Sequence, residues 1–237
     1  MNILINYAHG QYVKSQKACS KSALDIGGFD KVIEYGYDDI DENFRKENAH
    51  ILDQPRGVGY WVWKPYFILK TLHQINNDDI LMYIDSGTLF IDSFNKFIDI
   101  CKNDEKGVVL FQLVGHINQT WTKRDCFHYM NCENLKSVKA FQMAGTFLLF
   151  RKNDFVINFV SEWLEYCKDE RIITDKENTC GKPNFPNFRD HRHDQSILSL
   201  LQVKYDIKTF IDPSQWGESE RENGFKQLID HHRKRWE

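Results

Sequence analysis

The stretch DDILMYIDSGTLFID, residues 78–92, decides the fold of this chain. Its apolar run, residues 80–84, shows no polar alternation, which is typical of a strand buried on both faces of a sheet. The run ends abruptly in Asp-Ser-Gly, and the apolar pattern resumes over residues 88–91. In open α/β sheets ligands bind at the carboxyl ends of strands, so Asp85 is a candidate site residue. The alternative is that Asp85 opens a tight turn, because Asp-Ser-Gly is favourable turn chemistry.

The length and composition fit one large α/β domain or two small ones. The chain has 237 residues, of which 41% are hydrophobic, enough to bury a sizeable core. A net charge of -3 argues against a general nucleic-acid binder, which usually carries a basic excess. No apolar run approaches the length of a transmembrane helix and the N-terminus lacks a signal-peptide pattern, while peripheral membrane association stays open. The six cysteines form no C-x-x-C pair, which favours free thiols and a cytoplasmic location.

Strand and helix patterns alternate along the first half of the chain. Residues 2–8 and 31–36 have the composition of strands, and the helical spacing between them stops at Gly27-Gly28. Residues 64–77 repeat apolar side chains at helical spacing before the strand that ends at Asp85. This β-α-β order predicts an α/β fold with a mostly parallel central sheet flanked by helices.

The second half is more mixed, but its elements fit the same single domain over residues 1–237. Residues 107–113 and 141–153 are strand-like, and a glycine interrupts the second of these segments. Two helical patterns, residues 154–169 and 194–205, flank a long loop that is rich in Asn, Pro and Gly. No repeat, linker or low-complexity tract divides the chain.

Three further segments carry side chains suited to chemistry, and each also has a purely structural interpretation. GVGYWVWKP (57–65) places aromatic rings and Lys64 at a helix start, which suits a nucleotide, or else an aromatic cluster under a loop. DHRHD (190–194) enters a helix, with Asp194 expected at its N-cap or in its first turn. Asp194 is then a simple helix cap, or a cap that is also a catalytic carboxylate, because the helix N-terminus holds its charge in place. DHH (230–232) is a candidate transition-metal pair or part of a solvated tail.

Together these segments resemble the small GT-A-fold glycosyltransferases of bacterial surface-polysaccharide clusters and large DNA viruses. The similarity runs from the first strand through YIDSG (83–87), AGTFLLFRK (144–152) and DHRHDQSILSLL (190–201) to the HHR tail (231–233). YIDSG stands where that family has its Asp-x-Asp motif. The sequence departs from the motif at its last position, where Gly87 replaces the second Asp.

The resemblance implies metal-assisted transfer of a sugar from a nucleotide-sugar, expected to be a UDP-sugar, to a saccharide acceptor. Residues 1–92 would form the nucleotide-sugar half and residues 107–237 the acceptor half. A divalent ion, Mn²⁺ or Mg²⁺, would bridge the donor phosphates, and single-Asp relatives often add a histidine near the C-terminus as a ligand. The implied site residues are Asp194, His193 and His191 for catalysis; Tyr7, Ala8, Trp63, Lys64, Asp85, Ser86, Gly87 and Arg233 for the donor; Trp121, Gly145 and Asp190 for the acceptor; and Asp85, His231 and His232 for the metal.

Two other functional classes stay open from the sequence. A metal-dependent phosphohydrolase would draw on the HRHD and DHH segments, but it needs carboxylates and histidines at early strand ends, where His9 is the main example. A non-catalytic nucleotide- or sugar-binding module would explain the missing second Asp, although the HRHDQ segment and the basic tail favour an enzyme. The donor sugar, the acceptor, the stereochemical outcome and the oligomeric state are not readable from the sequence.

Overall fold

A computed structural model of the chain describes residues 1–221 and 226–234, and Arg235 of the DHHRKR segment lies outside this range. In the described residues the strands are β1 (Asn2–Tyr7), β2 (Lys31–Tyr35), β3 (Ile80–Ile84), β4 (Leu89–Phe90), β5 (Val108–Ile117), β6 (Phe141–Met143), β7 (Phe147–Arg151), β8 (Thr209–Ile211) and β9 (Ile229–Asp230). Seven of them form a central sheet, and β4 pairs separately with β9.

The central sheet has the order β2-β1-β3-β7-β5-β6, and β8 pairs with β5. Strand β1 is parallel to both β2 and β3, and β8 is parallel to β5. Strand β7 is antiparallel to β3 and β5, and β6 is antiparallel to β5. Five of the seven strands described in this sheet therefore point in one direction, which confirms the predicted mostly parallel sheet.

Helices cover both faces of the sheet. In the described part of the chain they are α1 (Val13–Ser22), α2 (Glu42–Glu47), α3 (Ala49–Leu52), α4 (Gly57–Tyr60), α5 (Trp63–Leu72), α6 (Asn95–Asn103), α7 (Asn118–Trp121), α8 (Arg124–Tyr129), α9 (Leu135–Lys139), α10 (Asp154–Cys167), α11 (Glu170–Ile173) and α12 (Asp194–Lys204). Short 3₁₀ segments lie at Gly10–Tyr12, Tyr37–Asp39 and Gln215–Glu220, and a π-turn at Ala23–Gly27 ends α1. None of the helices within the described ranges has the length and apolar character needed to cross a bilayer.

Strand β3 is buried on both faces, as its unbroken apolar run predicts. Leu81 and Tyr83 pack into a core with α5, α10 and α12, whereas Ile80, Met82 and Ile84 pack into a second core with α1 and α6. Successive side chains of a strand point to opposite faces, so a strand between two layers must be apolar at every position. This central position brings the end of β3 to the middle of the carboxyl edge of the sheet.

The strand-like segment 141–153 forms two strands, and the break predicted at its glycine is confirmed. Residues 144–146 separate β6 from β7 and lie beside the end of β3, where the Asp85 N–H donates to the Thr146 carbonyl oxygen at 2.8 Å. All six cysteines are free thiols, as their spacing predicts.

Candidate functional site

The carboxyl ends of β1 and β3 open into a cleft of about 830 Å³. Its lining comes from the turn after β1, the segment before α5, the end of β3, the 144–146 break, the start of α12 and the C-terminal tail. Twelve of the side chains implicated by the sequence meet there: Tyr7, Ala8, Trp63, Lys64, Asp85, Ser86, Gly87, Gly145, His193, Asp194, His231 and Arg233. The strand-end rule therefore identifies the edge of the sheet at which they converge.

Asp85 both opens a turn and presents its carboxylate to the cleft. The Thr88 hydroxyl donates to the Asp85 carbonyl oxygen at 2.6 Å, as in a tight turn. Tyr83, two residues earlier and thus on the same face of the strand, donates its hydroxyl to Asp85 Oδ1 at 2.5 Å. The Asp85 side chain keeps 34% of its surface exposed, so it can still meet a ligand.

Lys64 joins the two carboxylates of the site from beneath the cleft. Its ammonium group donates to the Gly145 carbonyl oxygen at 2.8 Å and lies 3.1 Å from Asp194 Oδ2 and 3.7 Å from Asp85 Oδ1. Burial disfavours the charge, but Asp194 and Asp85 outweigh burial and raise the pKa of Lys64. Lys64 therefore acts as the internal counter-ion of Asp85 and Asp194. The contact with the nucleotide-sugar that was predicted for Lys64 has no support in this geometry.

Asp194 is the first residue of α12 and not its N-cap. The N-cap position belongs to His193, which makes no side-chain capping bond, so the simple capping interpretation of Asp194 is wrong. The Asp194 carboxylate turns inward to Lys64. Burial raises the pKa of Asp194 to about 6, while the positive charge of Lys64 opposes that rise. Asp194 is therefore mostly ionised at neutral pH yet binds a proton far more readily than an exposed aspartate.

His193 lines the cleft in a strained conformation. Its φ of 52° and ψ of -120° lie where a non-glycine residue costs about 1–3 kcal/mol, a strain that clusters at functional sites. Nδ1 donates to the Ile173 carbonyl oxygen at 2.7 Å, because that carbonyl can only accept. The buried Nε2 therefore carries a lone pair, and no residue in the described ranges donates to it.

His191 does not reach the cleft. Its Nδ1 accepts the Lys123 N–H at 3.3 Å and its Nε2 donates to the Ile172 carbonyl oxygen at 2.8 Å, so both ring nitrogens are occupied. Burial lowers the pKa of His191 well below its usual range, and the ring is neutral at pH 7. The catalytic role predicted for His191 has no geometric support, because the ring links two buried backbone segments.

The element α4, which forms the wall of the cleft before α5, is a left-handed turn and not a regular α-helix. Five consecutive residues, 57–61, have positive φ, and three of them are not glycine. Gly59 is required there, because an added Cβ would lie 2.7 Å from the Cα of Leu52. Close backbone packing in this turn therefore explains the glycines of the GVGYWVWKP motif. The interpretation of the motif as a nucleotide site did not include this reason.

Trp63 belongs to an aromatic cluster under the cleft. Its ring stacks on Tyr7 with 3.9 Å between ring centroids, and its indole N–H donates to the Gly57 carbonyl oxygen at 2.9 Å. Only about 5% of Trp63 is exposed, so Trp63 cannot offer an open face for a base to stack on. This geometry supports the interpretation of this part of the GVGYWVWKP motif as an aromatic cluster under a loop.

The C-terminal tail explains why glycine replaces the second aspartate of the motif. The Arg233 N–H donates to the Gly87 carbonyl oxygen at 3.0 Å, and a Cβ on Gly87 would lie 3.2 Å from the Arg233 Cα. A side chain at this position would press on the tail backbone, which would have to shift by a few tenths of an ångström. Pairing of β9 with β4 holds the tail at the cleft, where His231 and Arg233 face the end of β3.

Two of the three metal ligands predicted from the sequence, Asp85 and His231, face the cleft. Burial lowers the pKa of His231, which favours the neutral imidazole that binds metals, although Asp85 opposes the shift. Within residues 1–221 and 226–234 no three His, Cys, Asp or Glu side chains form a metal cluster. The pair therefore fits a cation only if phosphate oxygens of a bound ligand complete its coordination. His232 lies outside the cleft lining, and its Nδ1 accepts the Lys234 N–H at 2.8 Å.

The two remaining predicted acceptor residues, Trp121 and Asp190, are not part of the cleft lining. Trp121 is covered by the Arg192 guanidinium, 4.4 Å from the ring centroid, so the predicted sugar-stacking face is occupied. Asp190 accepts two hydrogen bonds from Arg56, at 2.9 and 3.1 Å, and Arg56 itself lines the cleft. Trp121 and Asp190 thus each contact an arginine that lines the cleft, Arg192 and Arg56 respectively. Neither of the two predicted residues lines the cleft itself.

Other lining residues belong to the segments that the sequence singled out but were not predicted individually as site residues; they are Gly57, Val58, Trp61, Tyr83, Thr146, Arg192 and Gln195. His9 was named only for the phosphohydrolase alternative, and Gly10, Gln11, Tyr12, Pro55 and Arg56 were not predicted. Two signals were available: Tyr83 shares a strand face with Asp85, and the residues after β1 precede a helix at a sheet edge, where phosphates commonly bind. No local pattern predicted Pro55 and Arg56 at the cleft, because the adjoining turn depends on close packing of Gly59 against Leu52 of α3.

Comparison with solved structures places the fold. The apo form of mouse xyloside xylosyltransferase 1 superimposes with a TM-score of 0.52 at 10% identity, over 97% of this chain and 96% of that one. The chain has the GT-A glycosyltransferase fold. The apo bifunctional glycosyltransferase WbbM and the apo glycosyltransferase GlyE of Streptococcus pneumoniae TIGR4 also match, at 12% and 14% identity and TM-scores of 0.48, with the chain spanning 38% and 54% of their lengths. Neither a family model nor a curated protein sequence matches this glycosyltransferase-fold chain.

Proposed function

We propose that the protein transfers a sugar from a nucleotide-sugar, first of all a UDP-sugar, to a saccharide acceptor. The observation that carries the proposal is the convergence of Asp85 and Asp194 on one buried ammonium group, Lys64, at the ligand-binding edge of a glycosyltransferase fold. A carboxylate with a raised pKa beside a second carboxylate is a common feature of acid–base sites.

The donor would lie along the carboxyl ends of β1 and β3. Tyr7 and Ala8, at the end of β1, are proposed to lie beside the base, and the following turn leads to α1, where backbone N–H groups suit phosphate. Arg233 presents a guanidinium to the same cleft and is proposed to contact the diphosphate. Ser86 donates its hydroxyl to the Tyr7 carbonyl oxygen, so it ties the two strand ends together and supports the donor site from below.

A divalent ion, Mn²⁺ or Mg²⁺, would be held by Asp85 and His231 together with donor phosphate oxygens. When bound, such an ion neutralises the charge that develops on the leaving diphosphate. Asp85 is oriented for this by the Tyr83 hydroxyl, and Arg233 donates to His231 Nε2 at 3.3 Å. The ion and the arginine would therefore compete for the same ring nitrogen.

Asp194 is proposed to accept the proton of the acceptor hydroxyl. The acceptor oxygen bonds to the anomeric carbon, the bond from that carbon to the diphosphate breaks, and its electron pair leaves with the diphosphate. The proton passes to the Asp194 carboxylate and then to solvent. Burial against Lys64 fixes the carboxylate in place, and a pKa near 6 suits a base that works at neutral pH.

Turnover of a panel of UDP- and GDP-sugars with and without Mn²⁺, read as free sugar and as nucleotide diphosphate, tests the proposal. The wild type should release both products from at least one donor, and Asp85→Ala should abolish the release while the folded state is kept. Asp99→Ala, at an exposed carboxylate of α6, is the matched control and should stay active. Nucleotide binding without turnover in the wild type would instead indicate a binding module, and cleavage of simple phosphate esters would indicate a phosphohydrolase.

A further inference from the structure

Two arginines line the cleft and have no part in the proposed donor site. Arg56 precedes α4 and Arg192 precedes α12, and their side chains are 41% and 44% exposed. Of the other Lys and Arg side chains that line the cleft in the described ranges, Lys64 is the counter-ion of two carboxylates and Arg233 is proposed to contact the diphosphate. The charges of Arg56 and Arg192 therefore need a separate explanation.

A carboxylate outside the cleft lining orients both guanidinium groups. Asp190 accepts two hydrogen bonds from Arg56 Nη2, at 2.9 and 3.1 Å, and its Oδ2 lies 4.0 Å from Arg192 Nη1. Asp175 accepts a third hydrogen bond, from Arg56 Nη1, at 3.0 Å. These three hydrogen bonds leave at least two of the five N–H groups of Arg56 for another partner. Arg56 is thus held in one orientation and can still donate to a ligand.

Arg192 is held in place by its backbone and by stacking. Its backbone N–H donates to the Trp121 carbonyl oxygen and to Ser196 Oγ, both at 3.1 Å, and its guanidinium lies 4.4 Å from the centroid of the Trp121 ring. Within residues 1–221 and 226–234 the guanidinium donates no hydrogen bond, and its ion pair with Asp190 is long, at 4.0 Å. Stacking orients a guanidinium without using its N–H groups. Arg192 therefore keeps its donors for a ligand.

The position of Arg192 associates the pair with the acceptor. Arg192 lies two residues before Asp194, the proposed base, which must contact the acceptor hydroxyl. We propose that Arg56 and Arg192 bind an oxyanion, either a carboxylate or a phosphate, that the acceptor saccharide carries. The inference deepens the proposed function and depends on it: the acceptor belongs to the class of acidic saccharides.

Charge and geometry both favour an oxyanion over a neutral group. A guanidinium presents parallel N–H donors that match the oxygens of a carboxylate or phosphate, and such charge-assisted hydrogen bonds are roughly twice as strong as neutral ones. Both oxygens of Asp190 already accept from Arg56, so Asp190 compensates the charge of Arg192 only from 4.0 Å. Because both side chains are already oriented, binding costs less side-chain entropy than it does at mobile surface arginines.

Acceptors that differ in a single group test the inference, with a donor that the wild type turns over. A panel of hexoses is prepared, each as the neutral methyl glycoside, the matching uronic acid and the matching 6-phosphate, and the transfer product is quantified. Wild-type kcat/KM should be about 10- to 100-fold higher for one acidic form than for the neutral form. The better acidic form identifies the oxyanion as a carboxylate or a phosphate.

Variants separate charge recognition from general damage, because the readout is the ratio of kcat/KM for acidic and neutral acceptors. Arg192→Gln should lower this ratio about 10-fold or more, and Arg56→Gln should lower it as well. Arg192→Glu should invert the preference in favour of the matching amino sugar, which a loss of stability cannot do. Arg189→Gln is the matched control and should keep the ratio, because Arg189 is an exposed arginine of the same loop that does not line the cleft.

The outcomes distinguish this inference from the proposed function. Equal rates with neutral and acidic acceptors, an unchanged ratio in Arg192→Gln, or an equal loss in Arg189→Gln overturns the inference while sugar transfer itself stands. Absence of transfer to every member of the panel overturns the proposed function instead.

Discussion

Replacing Asp194 with asparagine keeps the shape of the side chain but removes a buried charge whose cost can be worked out. The pKa of Asp194 in the folded protein is about 6, against an ordinary value of 3.8. Because the folded value is the higher one, protonation of Asp194 favours folding at low pH, and that contribution is lost as the pH rises through about 6. Between pH 5 and pH 8 the loss is about 1.4 kcal/mol.

Urea unfolding of the wild type and of Asp194→Asn at several pH values measures this quantity. The wild type's stability relative to the variant should fall by about 1.4 kcal/mol from pH 5 to pH 8 and stay flat above pH 8, because groups common to both proteins cancel. A relative stability that is the same at pH 5 and pH 8 would show that the carboxylate is not buried against Lys64 as described.

Turnover as a function of pH reports the same group. If Asp194 is the base, the acid limb of kcat/KM for the wild type should have an apparent pKa of about 6, and Asp194→Asn should lose about 10²-fold or more in kcat. Asp99→Asn, an exposed carboxylate in α6, controls for the loss of a surface charge. An acid limb that persists unchanged in a partly active Asp194→Asn would refute the assignment, since another group would then supply the base.

Three further predictions concern other residues of the cleft and its wall. Gly87→Ala should weaken nucleotide-sugar binding at a nearly unchanged melting temperature, because the added methyl group presses on the tail backbone at 3.2 Å. Gly36→Ala is the control and should bind normally, because its Cβ would meet nothing closer than 3.7 Å. Gly59→Ala should destabilise the fold by several kcal/mol more than Gly115→Ala, since both have positive φ but only Gly59 faces a backbone clash, at 2.7 Å; equal melting temperatures would contradict this. Lys64→Met should lower the free energy of unfolding in urea by about 3–5 kcal/mol, because two carboxylates lose their shared counter-ion. For the same reason the acid limb of kcat/KM should move to higher pH. An unmoved limb would count against the grouping of Asp85 and Asp194 around Lys64.

The amino-acid sequence determined the strand that organises the fold and the carboxylate that ends it. Residues 80–84 have no polar alternation, and a strand between two apolar layers accommodates such a run, so Asp85 was expected at the edge of the sheet. The helix starting at Asp194 was equally readable, since its apolar spacing is local. Local periodicity depends on near neighbours in the chain, which is why it survives without tertiary information.

Tertiary structure alone decided what those residues do. Lys64 lies 21 residues from Asp85 and 130 from Asp194 along the chain, and no local pattern could show that one buried ammonium group serves both. The same holds for Gly87, whose missing side chain makes room for a tail backbone some 146 residues later. Burial and charge pairing are sums over neighbours that the folded chain brings together, so the roles of Lys64, Asp194 and Gly87 became visible only once those neighbours were in place.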